Sequence, residues 1–132
     1  YIFNYDAVDQ SGVSFEGVGS RNFNNFARSM PEWRVNYNIG YSDEYNSANV
    51  FVRYINGYTD DQNAVEVPSY TTVDLQYTYA FNGTDEIGLR ATIGMVNAFN
   101  KQVPKLSTNG GFDSKVHDPR QRMMYMKLGY RF

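Results

Sequence analysis

The chain has 132 residues, no cysteine, a formal net charge of −2 and 17% aromatic residues. The absence of cysteine excludes a disulfide scaffold, a cysteine-based zinc site and thiol catalysis. The balanced charge excludes a nucleic-acid-binding surface, which needs concentrated basic residues. The many tyrosines and phenylalanines favour β structure, and this length provides at most one domain.

Six segments of alternating apolar and polar residues predict β-strands, because alternate residues of a strand point to opposite faces. In chain order they are residues 1–8, 33–42, 47–58, 71–81, 86–99 and 123–132. Most of them are longer than the roughly 5 or 6 residues that are usual in soluble domains. A tilted strand that crosses a bilayer needs about 9–11 residues, so the lengths favour a transmembrane sheet.

The connections between the predicted strands alternate strictly in length. The long ones are residues 9–32, 59–70 and 100–122, and the short ones are residues 43–46 and 82–85. The Asn-Gly pair at the start of the second short connection is a strong hairpin signal. Bacterial outer-membrane barrels have long extracellular loops and short periplasmic turns, so we expect the long connections outside and the short ones in the periplasm.

Each predicted strand has one face without any charged residue. The opposite face carries the charges, and the candidates to face a barrel lumen are Arg34, Arg53, Asp74, Arg90, Lys127 and Arg131. These residues could guide an anionic substrate, or they could pair with acidic residues inside a filled lumen or with one another. We expect Asp74 to pair with a neighbouring arginine.

Aromatic residues collect near the predicted strand ends, as they do at the two interfaces of a bilayer. At the periplasmic ends they are Tyr41, Tyr79, Phe81, Tyr130 and Phe132, and at the outer ends Trp33, Tyr58, Tyr70 and Phe99. Aliphatic residues such as Leu75, Leu89 and Ile93 lie between these groups. This order favours a membrane barrel over a half-buried soluble sheet.

Five ordered motifs resemble the C-terminal part of the β-barrel of TonB-dependent outer-membrane receptors. They are MPEWRVNYNIGY (30–41), VRYINGYTD (52–60), VPSYTTVDLQYTYAF (67–81), GLRATIGMVNAFNKQVP (88–104) and HDPRQRMMYMKLGYRF (117–132). Tyr130 and Phe132 resemble the C-terminal signal that the barrel assembly machinery recognises. The chain departs from the family pattern at Ala98 and Asn100, and it has Lys127 where that signal usually has glycine.

The resemblance implies an all-β fold in which this chain forms the last six antiparallel strands of a barrel of about 22. It also implies an outer-membrane active transporter of a Gram-negative bacterium that imports a scarce substrate, such as an iron–siderophore, cobalamin, haem or a glycan. The implied partners are the receptor's own N-terminal plug and remaining strands, the inner-membrane TonB complex, the assembly machinery and outer-membrane lipid. We expect residues 1–132 to be the C-terminal segment of a longer receptor, without the plug.

The long connections contain four candidates to contact a ligand: Phe23, Arg28, His117 and Arg120. Phe23 and Arg28 could bind a ligand such as a sugar or pack the loop. His117 is the sole histidine, and one histidine without a carboxylate cluster does not predict a metal site. Asp118-Pro119 would begin a turn that delivers Arg120 to the last strand, and residues 59–63 are expected to form a solvated loop tip.

The sequence contains no serine–histidine–aspartate set, paired catalytic carboxylates or phosphate-binding loop, so we expect no enzyme and no cofactor. Two alternatives to the receptor remain open. One is a self-contained small outer-membrane barrel, structural or adhesive, with further strands in residues 9–32 such as VSFEGVG. The other is a soluble β-barrel that binds a ligand and buries the face carrying Val73, Leu75 and Leu89 as its core.

Overall fold

A computed structural model describes residues 1–2, 4–8, 11–21, 29–60, 64–83, 87–108 and 110–132. Within these ranges the chain forms ten strands and no helix, so the all-β class is confirmed. The strands are β1 (Asp6–Val8), β2 (Ser14–Glu16), β3 (Ser20–Arg21), β4 (Arg34–Ser42), β5 (Asn46–Ile55), β6 (Tyr58–Asp60), β7 (Val65–Val67), β8 (Tyr70–Ala80), β9 (Gly88–Val96) and β10 (Met123–Arg131). No helix in the described part could span a membrane.

The chain divides into two compact units. The loop unit comprises Tyr1–Val35, Tyr54–Thr71 and Gln102–Pro119, and the sheet unit comprises Asn36–Arg53, Thr72–Lys101 and Arg120–Phe132. The long strands form one five-stranded sheet in the order β10-β9-β8-β5-β4, and β9 pairs antiparallel with both of its neighbours. The short strands form a β1-β2 pair and a three-stranded sheet in the order β3-β6-β7.

Three of the predicted strands differ from the observed ones. The predicted strand 86–99 is observed as β9, which ends at Val96, and residues 84–86 lie outside the described ranges. The predicted strand 47–58 is divided, since β5 ends at Ile55 and β6 begins at Tyr58. Gly57 lies between them, and a Cβ there would be 2.8 Å from the Val67 carbonyl oxygen. The predicted strand 1–8 is strand only at Asp6–Val8 and pairs with β2, which lies within VSFEGVG, rather than joining the five-stranded sheet. Gly12 lies in the connection between β1 and β2. Its φ of 84° is a left-handed backbone conformation, which glycine adopts readily.

The short connection between β4 and β5 is closed by one aspartate. The Asp43 carboxylate accepts hydrogen bonds from the backbone N–H groups of Tyr45 (2.9 Å) and Asn46 (2.7 Å). These donors stabilise the ionised form, and they hold the pKa of Asp43 below its usual range. An aspartate that bonds the backbone two residues later is a common turn former, which explains why this connection is short.

The register of β8, β9 and β10 aligns apolar side chains in rows on one face. The rows are Leu75–Met95–Met124, Tyr77–Ile93–Met126 and Tyr79–Ala91–Leu128. The alternate rows on the other face are Gln76–Gly94–Tyr125 and Thr78–Thr92–Lys127. The Thr78 and Thr92 hydroxyl groups are 2.9 Å apart and hydrogen-bond each other. One face of the sheet is therefore apolar and the other polar.

Tyr125 spans all three of these strands because Gly94 has no side chain. A Cβ atom at Gly94 would overlap the Tyr125 ring. The ring lies over the glycine, and its hydroxyl donates to Gln76 Oε1 on β8 at 3.0 Å. The single glycine thus allows one aromatic side chain to bind the three strands together on the polar face.

We expect Gly94→Ala to lower the free energy of unfolding by about 1–3 kcal/mol, the usual cost of overpacking, as measured by denaturant titration. Gly129→Ala is the matched control on β10, because a Cβ there meets nothing within 4 Å; its effect should stay within about 0.5 kcal/mol. In a Tyr125→Ala background the cost of Gly94→Ala should largely disappear. Equal tolerance of both glycine substitutions would contradict this packing.

Candidate functional site

The apolar face of the sheet is exposed along its strands. Its members on the sheet unit are Tyr37, Ile39, Tyr41, Leu75, Tyr77, Tyr79, Leu89, Ile93, Met124, Met126, Leu128 and Tyr130, each at least 38% exposed. Contiguous apolar surfaces of this kind mark sites that contact a protein or a membrane. The alternative of a soluble barrel predicts that Leu75 and Leu89 are buried in its core. In the structure these two side chains are 40% and 41% exposed.

On the polar face, Asp74 forms an ion pair with Arg53, which confirms the expected pairing with a neighbouring arginine. The second carboxylate oxygen of Asp74 accepts from the backbone N–H of Asn97 at 2.9 Å. The Arg53 side chain remains about half exposed, so this ion pair is partly open to solvent. Asp74 therefore joins β5 and β8 to the residue that follows β9.

Asn97 organises the chain beyond β9, a role that sequence reasoning missed. It has φ of 49°, in the left-handed region, and it is buried. Its side-chain amide donates to the carbonyl oxygens of Lys101 (2.9 Å) and Arg120 (3.3 Å), and its side-chain oxygen accepts from the Lys101 backbone N–H (2.8 Å). Asparagine tolerates the left-handed conformation, so the sequence could have indicated a turn at Asn97. The sequence does not reveal that the side chain of Asn97 bonds the distant residue Arg120.

The other candidates for a lumen surface also lie on the polar face of the sheet. Arg34, Lys127 and Arg131 are exposed, and Arg90 is half-buried. The Lys127 ammonium group lies 5.5 Å from the centre of the Tyr125 ring, within the range of a cation–π interaction. The structure therefore brings Arg90, Lys127 and Arg131 together on β9 and β10.

The loop unit contains a second polar group, which is buried. Arg21 Nη1 lies 3.1 Å from Asp60 Oδ1, and its Nε lies 3.9 Å from Asp113 Oδ2. The Asp60 side chain is 0% exposed. The expectation of a solvated tip at residues 59–63 is therefore wrong at Asp60, because its buried carboxylate pairs with the half-buried Arg21. Residues 61–63 lie outside the described residues.

Asp113 links this ion pair to a set of hydroxyl groups. The Ser29 hydroxyl donates to Asp113, and the Tyr58 hydroxyl donates to the same carboxylate oxygen at 3.1 Å. Tyr58 also lies 3.4 Å from His117 Nε2. Burial raises the pKa of Tyr58, so Tyr58 stays protonated and available as a donor.

His117, one of the candidates to contact a ligand, is buried, with 3% of its surface exposed. Its ring stacks on Tyr58 at 6.1 Å and meets Tyr70 edge-on at 5.1 Å. Nδ1 is buried without a hydrogen-bond partner among the described residues. Burial lowers the pKa of His117, and Arg34 adds to that effect while Asp113 opposes it. A neutral histidine packed between tyrosines stabilises the loop unit and offers no open surface to a ligand.

The remaining candidates, for contact with a ligand and for the C-terminal assembly signal, lie in separate parts of the chain. Phe23 and Arg28 lie outside the described residues. Arg120 is exposed at the end of the last long connection, where its carbonyl oxygen accepts from Asn97. Tyr130 and Phe132 are 59% and 96% exposed, with their rings edge-to-face at 5.4 Å.

Ser29 and His117 have different partners among the described residues. The Ser29 hydroxyl donates to Asp113, and His117 contacts Tyr58 and Tyr70. Within the described ranges, no group of three or more histidine, aspartate or glutamate side chains could hold a metal ion. No known protein family, curated protein or solved structure matches this chain.

We expect Asp60→Asn to lower the free energy of unfolding by about 3 kcal/mol, because it leaves the half-buried Arg21 guanidinium beside a neutral, fully buried amide. Glu66→Gln on β7 of the same unit is the matched control, since Glu66 is exposed; it should change stability by less than about 0.5 kcal/mol. Chemical denaturation of both variants provides the comparison. Equal stability of the two variants would show that the Arg21–Asp60 ion pair does not hold the loop unit together.

We expect the stability of the loop unit to fall as the pH falls below about 6.5, the ordinary pKa of histidine. The folded state keeps His117 neutral while the unfolded state takes up a proton, so stability is present above the unfolded pKa and is lost as the pH falls toward the lower folded value. Limited proteolysis of residues 100–122 at pH 7.5 and pH about 5 measures this loss. His117→Gln should remove the difference, and an unchanged pH response in that variant would show that His117 is not its cause.

Proposed function

We propose that the chain forms part of the wall of a TonB-dependent outer-membrane receptor, a transporter that imports a scarce substrate with energy from the inner-membrane TonB complex. The single observation that supports this most strongly is the two-faced sheet. Its apolar face is exposed and uncharged along long strands, and its polar face carries the charged residues. Lipid-facing and lumen-facing residues alternate in this way along the strands of membrane barrels.

In this proposal the apolar face contacts lipid and the polar face lines a filled lumen, within a barrel of about 22 strands. The charges fit this arrangement, since Asp74 and Arg53 pair on the polar face and none of the twelve members of the apolar face is an acidic or basic residue. A charge on the lipid face at the bilayer midplane costs about 2–4 kcal/mol. The loop unit has its own small core of Tyr58, Val67 and Leu106.

The soluble barrel and the self-contained small barrel explain fewer of these observations than the receptor does. A soluble ligand-binding barrel would have to cover the apolar face with a further layer, and the described core of Tyr58, Val67 and Leu106 lies in the loop unit instead. A self-contained small barrel shares the lipid-facing surface but requires about eight strands around its wall. The sheet described has five, and β1 and β2 pair separately from it.

We expect a tryptophan at Ile39 to contact lipid and one at Asn38 to avoid it. Both positions are exposed neighbours on β4, and they lie on the apolar and polar faces respectively. In a Trp33→Phe background, Ile39→Trp should be strongly quenched by lipids with brominated acyl chains, and Asn38→Trp should not. Equal quenching at both positions would contradict a lipid-facing apolar face.

The transport function itself is tested in the source organism. Removal of the protein should abolish growth on one scarce nutrient among iron–siderophores, cobalamin, haem and glycans, and inactivation of the TonB complex should produce the same defect. The polypeptide extracted from outer membranes should have a mass several times the 15.2 kDa of this chain. A polypeptide of about this size, or a defect independent of the TonB complex, would overturn the receptor assignment.

A further inference from the structure

A cleft lies beside the β6–β7 hairpin of the loop unit. Its volume is about 670 Å³, which is within the roughly 300–1,000 Å³ that is usual for small-molecule sites. All of its lining residues lie between Tyr54 and Ser69, at the end of β5 and along the hairpin. Because Glu66 contributes the one charged side chain among these lining residues, we call it the Glu66 cleft.

The hairpin fixes the position of two polar side chains at the rim. Thr59 and Glu66 are directly opposite each other in the antiparallel register of β6 and β7, and both are exposed. Directly opposed residues lie on the same face of a strand pair. The next pair along the register, Tyr58 and Val67, is buried in the core of the loop unit. The core therefore anchors the hairpin, and Thr59 and Glu66 remain accessible at the cleft.

Tyr54 and Asn56 form a half-buried wall of the cleft. The Tyr54 hydroxyl donates to Asn56 Oδ1 at 3.0 Å, and the Asn56 backbone N–H donates to the Trp33 carbonyl oxygen at 2.9 Å. The first bond occupies the Asn56 side-chain oxygen and leaves its NH₂ group as a hydrogen-bond donor. These contacts order the wall in advance, and a preformed site loses less conformational freedom when a ligand binds.

The polar groups of the cleft suit a ligand that carries hydroxyl groups. Glu66 provides a carboxylate acceptor, Asn56 provides an amide donor, and the hydroxyl groups of Thr59 and Ser69 can both donate and accept. A sugar hydroxyl also donates and accepts, so it can bond a carboxylate and an amide at once. The face of an aromatic ring such as that of Tyr54 is partly negative and attracts the weakly positive C–H groups of a sugar ring.

The charge and volume of the Glu66 cleft distinguish among the four substrate classes of the proposed function. A carboxylate repels an anionic ligand. Haem carries carboxylate groups and many iron–siderophore complexes are anions, so Glu66 disfavours both classes. Cobalamin is larger than a cleft of this volume. A neutral glycan meets neither obstacle.

We propose that the Glu66 cleft binds the sugar rings of a neutral glycan. Glu66 accepts hydrogen bonds from the sugar hydroxyl groups, Asn56 donates to a sugar oxygen, and the Tyr54 ring packs against a sugar ring. This inference rests on the proposed function only for the conclusion that the bound glycan is the imported substrate.

The test measures binding of the full-length, detergent-extracted protein to an array of neutral and anionic oligosaccharides. We expect it to bind a set of neutral oligosaccharides, and calorimetry then gives the Kd of the best of them. Glu66→Gln should raise this Kd about tenfold, the factor that corresponds to loss of one hydrogen bond to a charged group. Glu16→Gln is the matched control, because Glu16 is an exposed glutamate on β2 of the same unit; it should leave the Kd unchanged.

Ser69→Tyr separates loss of space from loss of charge. This substitution narrows the cleft without changing its charge, and Ser69 is exposed, so the variant should fold. It should also raise the Kd by about tenfold or more, while denaturant titration gives the same free energy of unfolding as for the parent protein. Binding of a neutral oligosaccharide that survives both Glu66→Gln and Ser69→Tyr would overturn the proposal.

Two further outcomes would overturn it. One is binding confined to anionic oligosaccharides, or no binding to any member of the array. The other is binding to vesicles of lipopolysaccharide without binding to any free oligosaccharide, because it would assign the cleft to the sugar headgroup of a membrane lipid.

The growth experiment in the source organism distinguishes failure of this proposal from failure of the transport function. A TonB-dependent growth defect on an iron–siderophore, cobalamin or haem, together with no binding to a glycan, would keep the receptor and reject the glycan. Binding to a neutral glycan that is sensitive to Glu66→Gln, together with growth that is independent of the TonB complex, would keep the cleft and reject the transporter.

Discussion

The antiparallel register of β8, β9 and β10 is the constraint on which the rest of the sheet depends. A slip of one residue would exchange the two faces of a strand. It would place Lys127 and Arg131 among Leu75, Ile93 and Leu89, and it would separate Tyr125 from Gly94. Gly94 disfavours such a slip. The Tyr125 ring fits over Gly94 because glycine has no side chain, and the neighbouring residues of β9 have side chains that would occupy this space.

The two units accommodate their charged side chains in different ways. In the sheet unit the charged side chains stay at a polar surface, where Arg53 and Asp74 pair while partly exposed. In the loop unit Asp60 and Asp113 are buried beside the half-buried Arg21, and Asp113 accepts further hydrogen bonds from Ser29 and Tyr58. A buried group of paired charges is costly to break.

The proposed transport function gives a reason for the way in which the sheet unit arranges its charged side chains. The wall of a membrane barrel must expose apolar side chains to lipid and keep its charges on the other side. The five long strands separate apolar from charged side chains in this way. In this proposal the polar face would contact whatever fills the lumen.

The sequence by itself determined the all-β class, the long strands and the face on which each charge lies, because these depend on a period of two along a single strand. It also predicted the pairing of Asp74 with an arginine, although not which arginine. The tertiary structure alone decided the burial of Asp60 and His117, the separate pairing of β1 with β2 and the role of Asn97. Each of these depends on residues far apart in the chain, and a local pattern contains no information about register or about which distant group neutralises a buried charge.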